Sequence, residues 1–269
     1  MDAQPHSAPA YFGRYEHLAM SRTPDGILEI RMHTDGGPIT FTGRDHREFV
    51  EAFFFVSQDR DNKVVILTGT GDEWMARIDF ASLGDITNPR VWDGVIWEGQ
   101  KLLQNLLDIN VPVIAAINGP ALIHSEYALT ADIVLAAEHA TFQDMPHLAG
   151  GIVPGDGLQV MWPRVLGPQR AKYFLYTRQT LSAREAHALG VVAEVLPDTA
   201  RLRARALELA RELLAIPELT RRSMRTMFTQ ELKRDVLEQV GHGLALEGIS
   251  ATDLKVAAGL AAGTAGAGA

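Results

Sequence analysis

Cysteine is absent from the 269 residues, which removes disulfides, thiolate nucleophiles, thiolate-bound zinc and ordinary iron–sulfur ligation together. Any catalysis must run on other groups. Long apolar runs are missing as well. No segment approaches the ~18–20 unbroken apolar residues of a membrane helix, and Met1-Asp2-Ala3-Gln4-Pro5 lacks a basic stretch followed by an apolar one. The expectation is a soluble, cytoplasmic protein. Positive charge is in deficit: 25 Lys and Arg against 33 Asp and Glu leave a formal charge of −8. Neither nucleic acid nor an anionic membrane is an expected partner, and a small, uncharged or modestly charged ligand fits better.

The short signatures of several enzyme classes are also lacking. A nucleotide cradle needs a Gly-rich loop with Lys, or Gly-x-Gly-x-x-Gly between strand and helix, but Gly69-Thr70-Gly71 continues into Asp72-Glu73-Trp74. Neither Gly-x-Ser-x-Gly nor His-Glu-x-x-His occurs. Water activated by a protein base remains open.

What is present is a large core, with 46% hydrophobic residues. Residues 17–22 and 26–33 read as two strands joined around Thr23-Pro24-Asp25-Gly26. Phe49, Val50, Phe53, Phe54 and Val56 recur at helical spacing within 44–59. The runs 63–68, 112–117 and 132–137 are continuous and β-branched or small, as buried strands are. With a helix at 91–107 between them, strand, turn and helix alternate, so the class is α/β. Beyond Leu158 the pattern is mostly helical: Ser182-Ala183-Arg184-Glu185 is a capping box, and 201–214, 218–228 and 231–246 are amphipathic. The Ala- and Gly-rich stretch 257–269 has nothing to offset its ordering entropy and is expected to be a mobile tail.

Turns after buried strands are where α/β proteins build sites, and three of the nine histidines sit near them. His124 follows Asn118-Gly119-Pro120; it is either a ring hydrogen-bonded at a helix entry or part of a place where helix-start amides receive an oxyanion. His147 lies in a long Pro- and Gly-rich loop that also carries Asp156. The two form either a dyad, the carboxylate fixing the imidazole tautomer, or a loop histidine and a helix cap. Asp144 reads as a carboxylate serving turn amides and His139 as exposed, so no metal site is expected. Glu247 interrupts an apolar helical face, exposed or reaching into a site. Trp74, Trp92, Trp97 and Trp162 read as core or subunit-contact residues rather than a ligand cage.

Over most of its length the chain resembles the crotonase (enoyl-CoA hydratase/isomerase) superfamily, through residues 63–71, Ala76-Arg77-Ile78-Asp79-Phe80, 111–133, 140–157 and 181–195. The resemblance implies a crotonase-like spiral of strand–strand–helix turns with a C-terminal helical region. Its divisions would be an N-terminal extension (1–14), an α/β core (15–198), a helical trimerisation region (199–256) and the tail (257–269). It implies a homotrimer or a dimer of trimers. It also places two oxyanion-hole amides at Ile78 and Ile123, the second across a one-residue gap.

Hydratases of the superfamily use two glutamates. The second falls on His147, after Pro146, and the first is matched by Glu126 across that gap, which argues against ordinary hydration. His124, His147, Asp156 and Glu247 match instead the active-site pattern of its β-diketone hydrolase branch, the 6-oxocamphor hydrolase type. That branch cleaves a carbon–carbon bond without coenzyme A or any other cofactor. Phe41 stands where the branch has a tryptophan that helps bind a substrate carbonyl, so an indole N–H donor is lost. The implied activity is retro-Claisen hydrolysis of a cyclic or bicyclic 1,3-diketone to a keto acid. His147, oriented by Asp156, would act as base, His124 as donor to the leaving enolate, and Glu247 would position water or return a proton. Phe41, Ile78, Ile123 and Glu126 would contact the substrate. The alternatives are a hydratase or isomerase acting on an acyl-CoA, and a catalytically silent scaffold.

Overall fold

The computed structural model describes residues 8–266, with side chains described to Leu254. Leu18–Arg22 (β1) and Ile27–Met32 (β2) form the expected antiparallel hairpin. Thr40–Phe41 (β3) leads into Gly43–Gln58 (α1), whose start is fixed by a reciprocal capping box between Thr42 and Asp45. Val64–Thr68 (β4) is buried at all five positions, as its unbroken apolar run requires. Arg77–Ile78 (β5) and a 3-10 turn at Phe80–Leu83 precede Pro89–Asp108 (α2).

Val113–Ile117 (β6), Ser125–Leu129 (α3), Ile133–Ala137 (β7) and Thr141–Phe142 (β8) follow. After the long loop come Leu158–Leu166 (α4), Pro168–Tyr176 (α5), Leu181–Ser182 (β9), Ala183–Ala188 (α6) and Glu194–Leu196 (β10). Thr199–Leu214 (α7) and Glu218–Gly266 (α8) complete the described residues.

The main sheet runs β1-β2-β4-β6-β7-β10 and is parallel from β2 onward. One face packs on α7, through Ile27, Val64, Ile114 and Leu135 against Leu202, Ala206 and Ala210. The other faces the larger core, which includes Leu28, Val65, Ala115, Phe49, Leu103 and Trp162. A second, smaller layer is built from the short ladders β3-β5 and β8-β9, joined by single bridges of Ala121 to Met75 and to Phe142. This stacking of strand, strand and helix matches the expected crotonase-like spiral.

One C-terminal expectation changes. The predicted helices 218–228 and 231–246 are one helix, because no Gly or Pro interrupts 229–231 and the Thr229 hydroxyl donates back to the Arg225 carbonyl (2.8 Å). Buried Arg225 ties this helix to the core by donating to the carbonyls of Thr130 and Ile109 and pairing with Asp132. Of the stretch expected to be a mobile tail, 257–269, the backbone to Gly266 is helical, while its side chains and residues 267–269 lie outside the described residues. The expected N-terminal extension is described from residue 8. There Tyr11 and Phe12 join the core, and the Tyr11 hydroxyl donates to Asp59 (2.8 Å).

Candidate active site

A cavity of about 320 Å³ opens between α1, α2, the small layer and α8. His124, His147, Asp156 and Glu247, drawn from three separate segments, converge on its wall together with Phe41 and Ile78. None of the segments is close to all the others in sequence, so the convergence is a product of packing.

The long loop is what assembles the acidic side. Its backbone runs against α8 so closely that a Cβ on Gly155 would lie 2.1 Å from the Gly243 carbonyl oxygen. Only paired glycines permit that approach. It sets Glu247 Oε2 to accept from the Gly155 amide (3.1 Å) and turns Glu247 Oε1 toward His147 Nε2 (3.5 Å). Asp156 does not cap α4, whose N-cap is Gly157 with no side-chain bond. Its Oδ2 instead stands between the two histidines, 3.6 Å from His147 Nε2 and 3.5 Å from His124 Nδ1.

The expected orienting partner of His147 is therefore corrected. Asp144, not Asp156, holds the ring: Asp144 Oδ1 lies 2.7 Å from His147 Nδ1. The turn-amide reading of Asp144 fails because the 3-10 turn Leu148–Gly150 folds the loop back and buries both side chains against each other. Burial disfavours charge on His147, but the surrounding Asp156, Asp144 and Glu247 carboxylates outweigh it and hold the imidazole well above its usual range. Glu247, also buried, is pushed up by desolvation and partly pulled back by His147.

His124 has different surroundings. It takes a left-handed backbone conformation (φ 48°) at the start of α3, stacks on Tyr127 (4.7 Å between centroids, 4° between planes) and meets Phe41 at 4.5 Å. Burial drives it down to about 3, against the pull of Asp156. Glu126 lies behind it rather than on the cavity wall, wholly buried, with Oε1 2.7 Å from His124 Nδ1. The expected substrate contact by Glu126 is thus replaced by a contact to His124.

The expected amide at Ile123 is not offered to a ligand either. It donates to the Met75 carbonyl (3.1 Å), as does that of Leu122 (2.9 Å), because the turn after β6 is stitched to residues 74–75. Ile123 lines the cavity without that amide. His139 is partly exposed, with Nε2 2.9 Å from the Asn118 carbonyl oxygen, and takes no part. Of the tryptophans, Trp74 and Trp162 are core, Trp97 is exposed, and Trp92 lines the cavity while its indole donates to the Leu244 carbonyl (2.7 Å).

The pair His46 and Glu98 was not anticipated. It lines the same cavity with Nδ1 3.1 Å from Glu98 Oε2, and the His46 ring is 5.9 Å from that of His124. The signal was available in the inward stripe 46, 49, 50, 53 of α1, where a histidine replaces an apolar residue. Donor atoms of His124, Glu126 and Asp156, and those of His147, Asp156 and Glu247, each lie within 4.8 Å of one another. These are the groups that a divalent ion would use, and their spacing is also that of imidazole–carboxylate pairing.

The sequence profile of enoyl-CoA hydratase/isomerase proteins matches residues 22–248. The chain belongs to this family. Among the relatives of this crotonase chain is a β-diketone hydrolase from the cyanobacterium Anabaena sp. PCC 7120, solved bound to (S)-3-oxocyclohexyl acetic acid. It is 60% identical, with TM-score 0.90, over 92% of this chain and 98% of that one. Crotonyl-CoA hydratase of Syntrophomonas wolfei is 34% identical over 60% of this chain, and the match spans 64% of that relative's length. Carnitinyl-CoA dehydratase of Salmonella arizonae is 34% identical over 67% of this chain and 71% of its own. Crotonase-family proteins are enzymes, and among the described residues no helix is long and apolar enough to cross a membrane.

Proposed function

We propose that the chain is a β-diketone hydrolase that cuts a cyclic or bicyclic 1,3-diketone to a keto acid by retro-Claisen hydrolysis, independent of coenzyme A. The observation that carries this reading is the buried array of His147 with Asp144, Asp156 and Glu247 opening onto a small, mostly apolar cavity. Its volume of about 320 Å³ is at the small end for ligand sites. Arg47 is the only arginine or lysine among its described lining residues, a poor match to a coenzyme A phosphate mouth.

The 60% identical relative supports the substrate class by its ligand. Joining the carboxyl carbon of 3-oxocyclohexyl acetic acid to the far α-carbon of its ketone, with loss of water, gives a bridged bicyclic 1,3-diketone. That keto acid is therefore what hydrolytic cleavage of such a diketone yields.

In the reaction water adds to one carbonyl carbon, breaking an O–H bond and forming a C–O bond. The bond from that carbon to the central carbon then breaks, its electrons pass to the second carbonyl as an enolate, and a proton returns to the central carbon. The three carboxylates around His147 favour its charged form against the burial that disfavours it. The acceptor for the water proton is then the Asp156 carboxylate facing Nε2, and the imidazolium stabilises the tetrahedral oxyanion. His124 meets the second carbonyl, and Glu247 assists the proton's return. One such positioned donor contributes roughly 10²–10³-fold.

The subunits are proposed to form a homotrimer or a dimer of trimers. The support is the large apolar side chains of α8 left exposed in the single chain, among them Leu219, Met227, Phe228 and Leu237. Light scattering on the purified protein tests this.

The decisive experiment is incubation with a panel of cyclic and bicyclic 1,3-diketones, followed by chromatography for keto acids, with crotonyl-CoA in parallel. Keto-acid formation and no CoA turnover is expected. Hydration of crotonyl-CoA without diketone cleavage would favour the acyl-CoA reading, and inactivity toward both would favour the scaffold.

A further inference from the structure

The site contains two imidazole–carboxylate pairs of equal length, His147–Asp144 and His124–Glu126, both 2.7 Å at Nδ1. Their surroundings place the proton differently. Around His147 stand three carboxylates, with Asp156 and Glu247 on the far side of the ring from Asp144. His124 packs against the Tyr127 and Phe41 rings, whose faces offer no hydrogen bond to replace the water a buried imidazolium gives up.

One proton lies between Glu126 Oε1 and His124 Nδ1. If it belonged to the imidazole, Glu126 would be an anion with no exposure and with Oε2 lacking a hydrogen-bond partner among the described residues. It would also share its pocket with the Asp156 and Asp144 carboxylates, both of which repel it. If the proton belongs to Glu126, both members are neutral and the short contact is an O–H donating to nitrogen.

We propose that Glu126 is a carboxylic acid donating to His124 Nδ1, which fixes His124 as the neutral Nε2–H tautomer and makes it a hydrogen-bond donor toward the cavity. Burial acts on the two groups in the matching sense, lowering His124 to about 3 and raising Glu126 well above the usual carboxyl range. Asp156 Oδ2, at 3.5 Å from Nδ1, is the competing acceptor and is the longer contact. Glu126 is thereby a positioning residue acting through His124. The function of the donor rests on the diketone reading: a neutral N–H selects a ketone or enolate oxygen, an acceptor, as its partner. It strengthens as charge builds on that oxygen, without transferring a proton to it.

The test is long-range ¹H–¹⁵N correlation spectroscopy on the full-length protein with labelled histidine at neutral pH, the His124 signals assigned by their loss in His124→Gln. The expected pattern is a protonated Nε2 and a hydrogen-bonded, unprotonated Nδ1. A protonated Nδ1, or both nitrogens protonated, overturns the proposal. Infrared difference spectra of the wild type against E126Q should show a carboxylic-acid C=O band lost in the variant.

A merely structural glutamate would not set the tautomer. E126Q, whose carboxamide still donates to Nδ1, should keep the Nε2–H pattern and turn over at least ~10-fold faster than E126L. E126L, where Nδ1 is released toward Asp156, should lose that pattern and show a raised KM; equal behaviour of the two variants, or a switched tautomer in E126Q, refutes the proposal. Should E126L fail to fold by circular dichroism, the wild-type and E126Q spectra decide alone. Because the spectra need no turnover, the expected tautomer in a protein inert to diketones would sink the proposed function and leave the proton assignment standing.

Discussion

His147 Nδ1 lies 2.7 Å from Asp144 Oδ1, and the pair is formed across three residues of one loop with Pro146 between them. The proline ring stiffens the turn and the following 3-10 segment closes it, so the imidazole is oriented before any ligand arrives. Asp144→Asn should keep the fold and lower kcat roughly 10²–10⁴-fold, since the amide cannot support the charged ring or enforce its orientation. Stopped-flow loss of diketone absorbance measures it; turnover close to wild type would assign the orienting role elsewhere.

Replacing the rings themselves separates their roles. His147→Ala should abolish turnover to near background while leaving keto-acid binding measurable by calorimetry. His124→Ala should raise KM and lower kcat together, by about 10²-fold in kcat/KM or more, because it removes a donor used in both ground and transition state. Equal effects of the two substitutions on binding would contradict the assignment.

Stability should depend on pH with a sign set by the buried protons. His147 is held above its ordinary 6.5 in the folded chain, so its stabilisation is complete below that value and is lost as pH rises through the folded value. Glu126, raised above 4.5, acts in the same sense: the unfolded carboxyl ionises first, and folding stability declines from there upward. His124 works the other way, its contribution falling as pH drops from 6.5 toward about 3. Denaturant titrations should therefore show the stability gap between wild type and His147→Gln shrinking as pH rises into the alkaline range. A gap that widened with pH would reverse the sign assigned to that proton.

Gly155→Ala tests the close approach that brings the loop to α8. Its Cβ would meet the Gly243 carbonyl at 2.1 Å and Leu244 N at 3.0 Å, both backbone atoms that cannot rotate away. The variant should lose about 2–4 kcal/mol of stability, and activity should fall further than stability explains as Glu247 and Asp156 move apart. Thermal unfolding and kcat on the same preparation check this; a neutral substitution would show that the loop is not pinned there.

Local chemistry in the sequence determines the elements that build the framework. The run Val64–Thr68 has no polar face, so it must be a strand covered on both sides, and the apolar spacing in 44–59 calls for a helix, whose start Thr42 and Asp45 cap. Four wall residues were also legible as types: His124, His147 and Asp156 stand in turns and loops after strands, and Glu247 interrupts an apolar helical face. Their pairing was not legible. Asp144 and Asp156 are both acids near His147 in one loop, and only the folding of residues 148–150 and the glycine contact with α8 decide which meets Nδ1 and which meets Nε2. Whether a given proton sits on His124 or Glu126 likewise depends on burial against aromatic rings and on charges from three segments. The reason is range: propensity and patterning act over a few residues along the chain, whereas desolvation and Coulomb interaction act across space, among groups that become neighbours only when the chain has closed on itself.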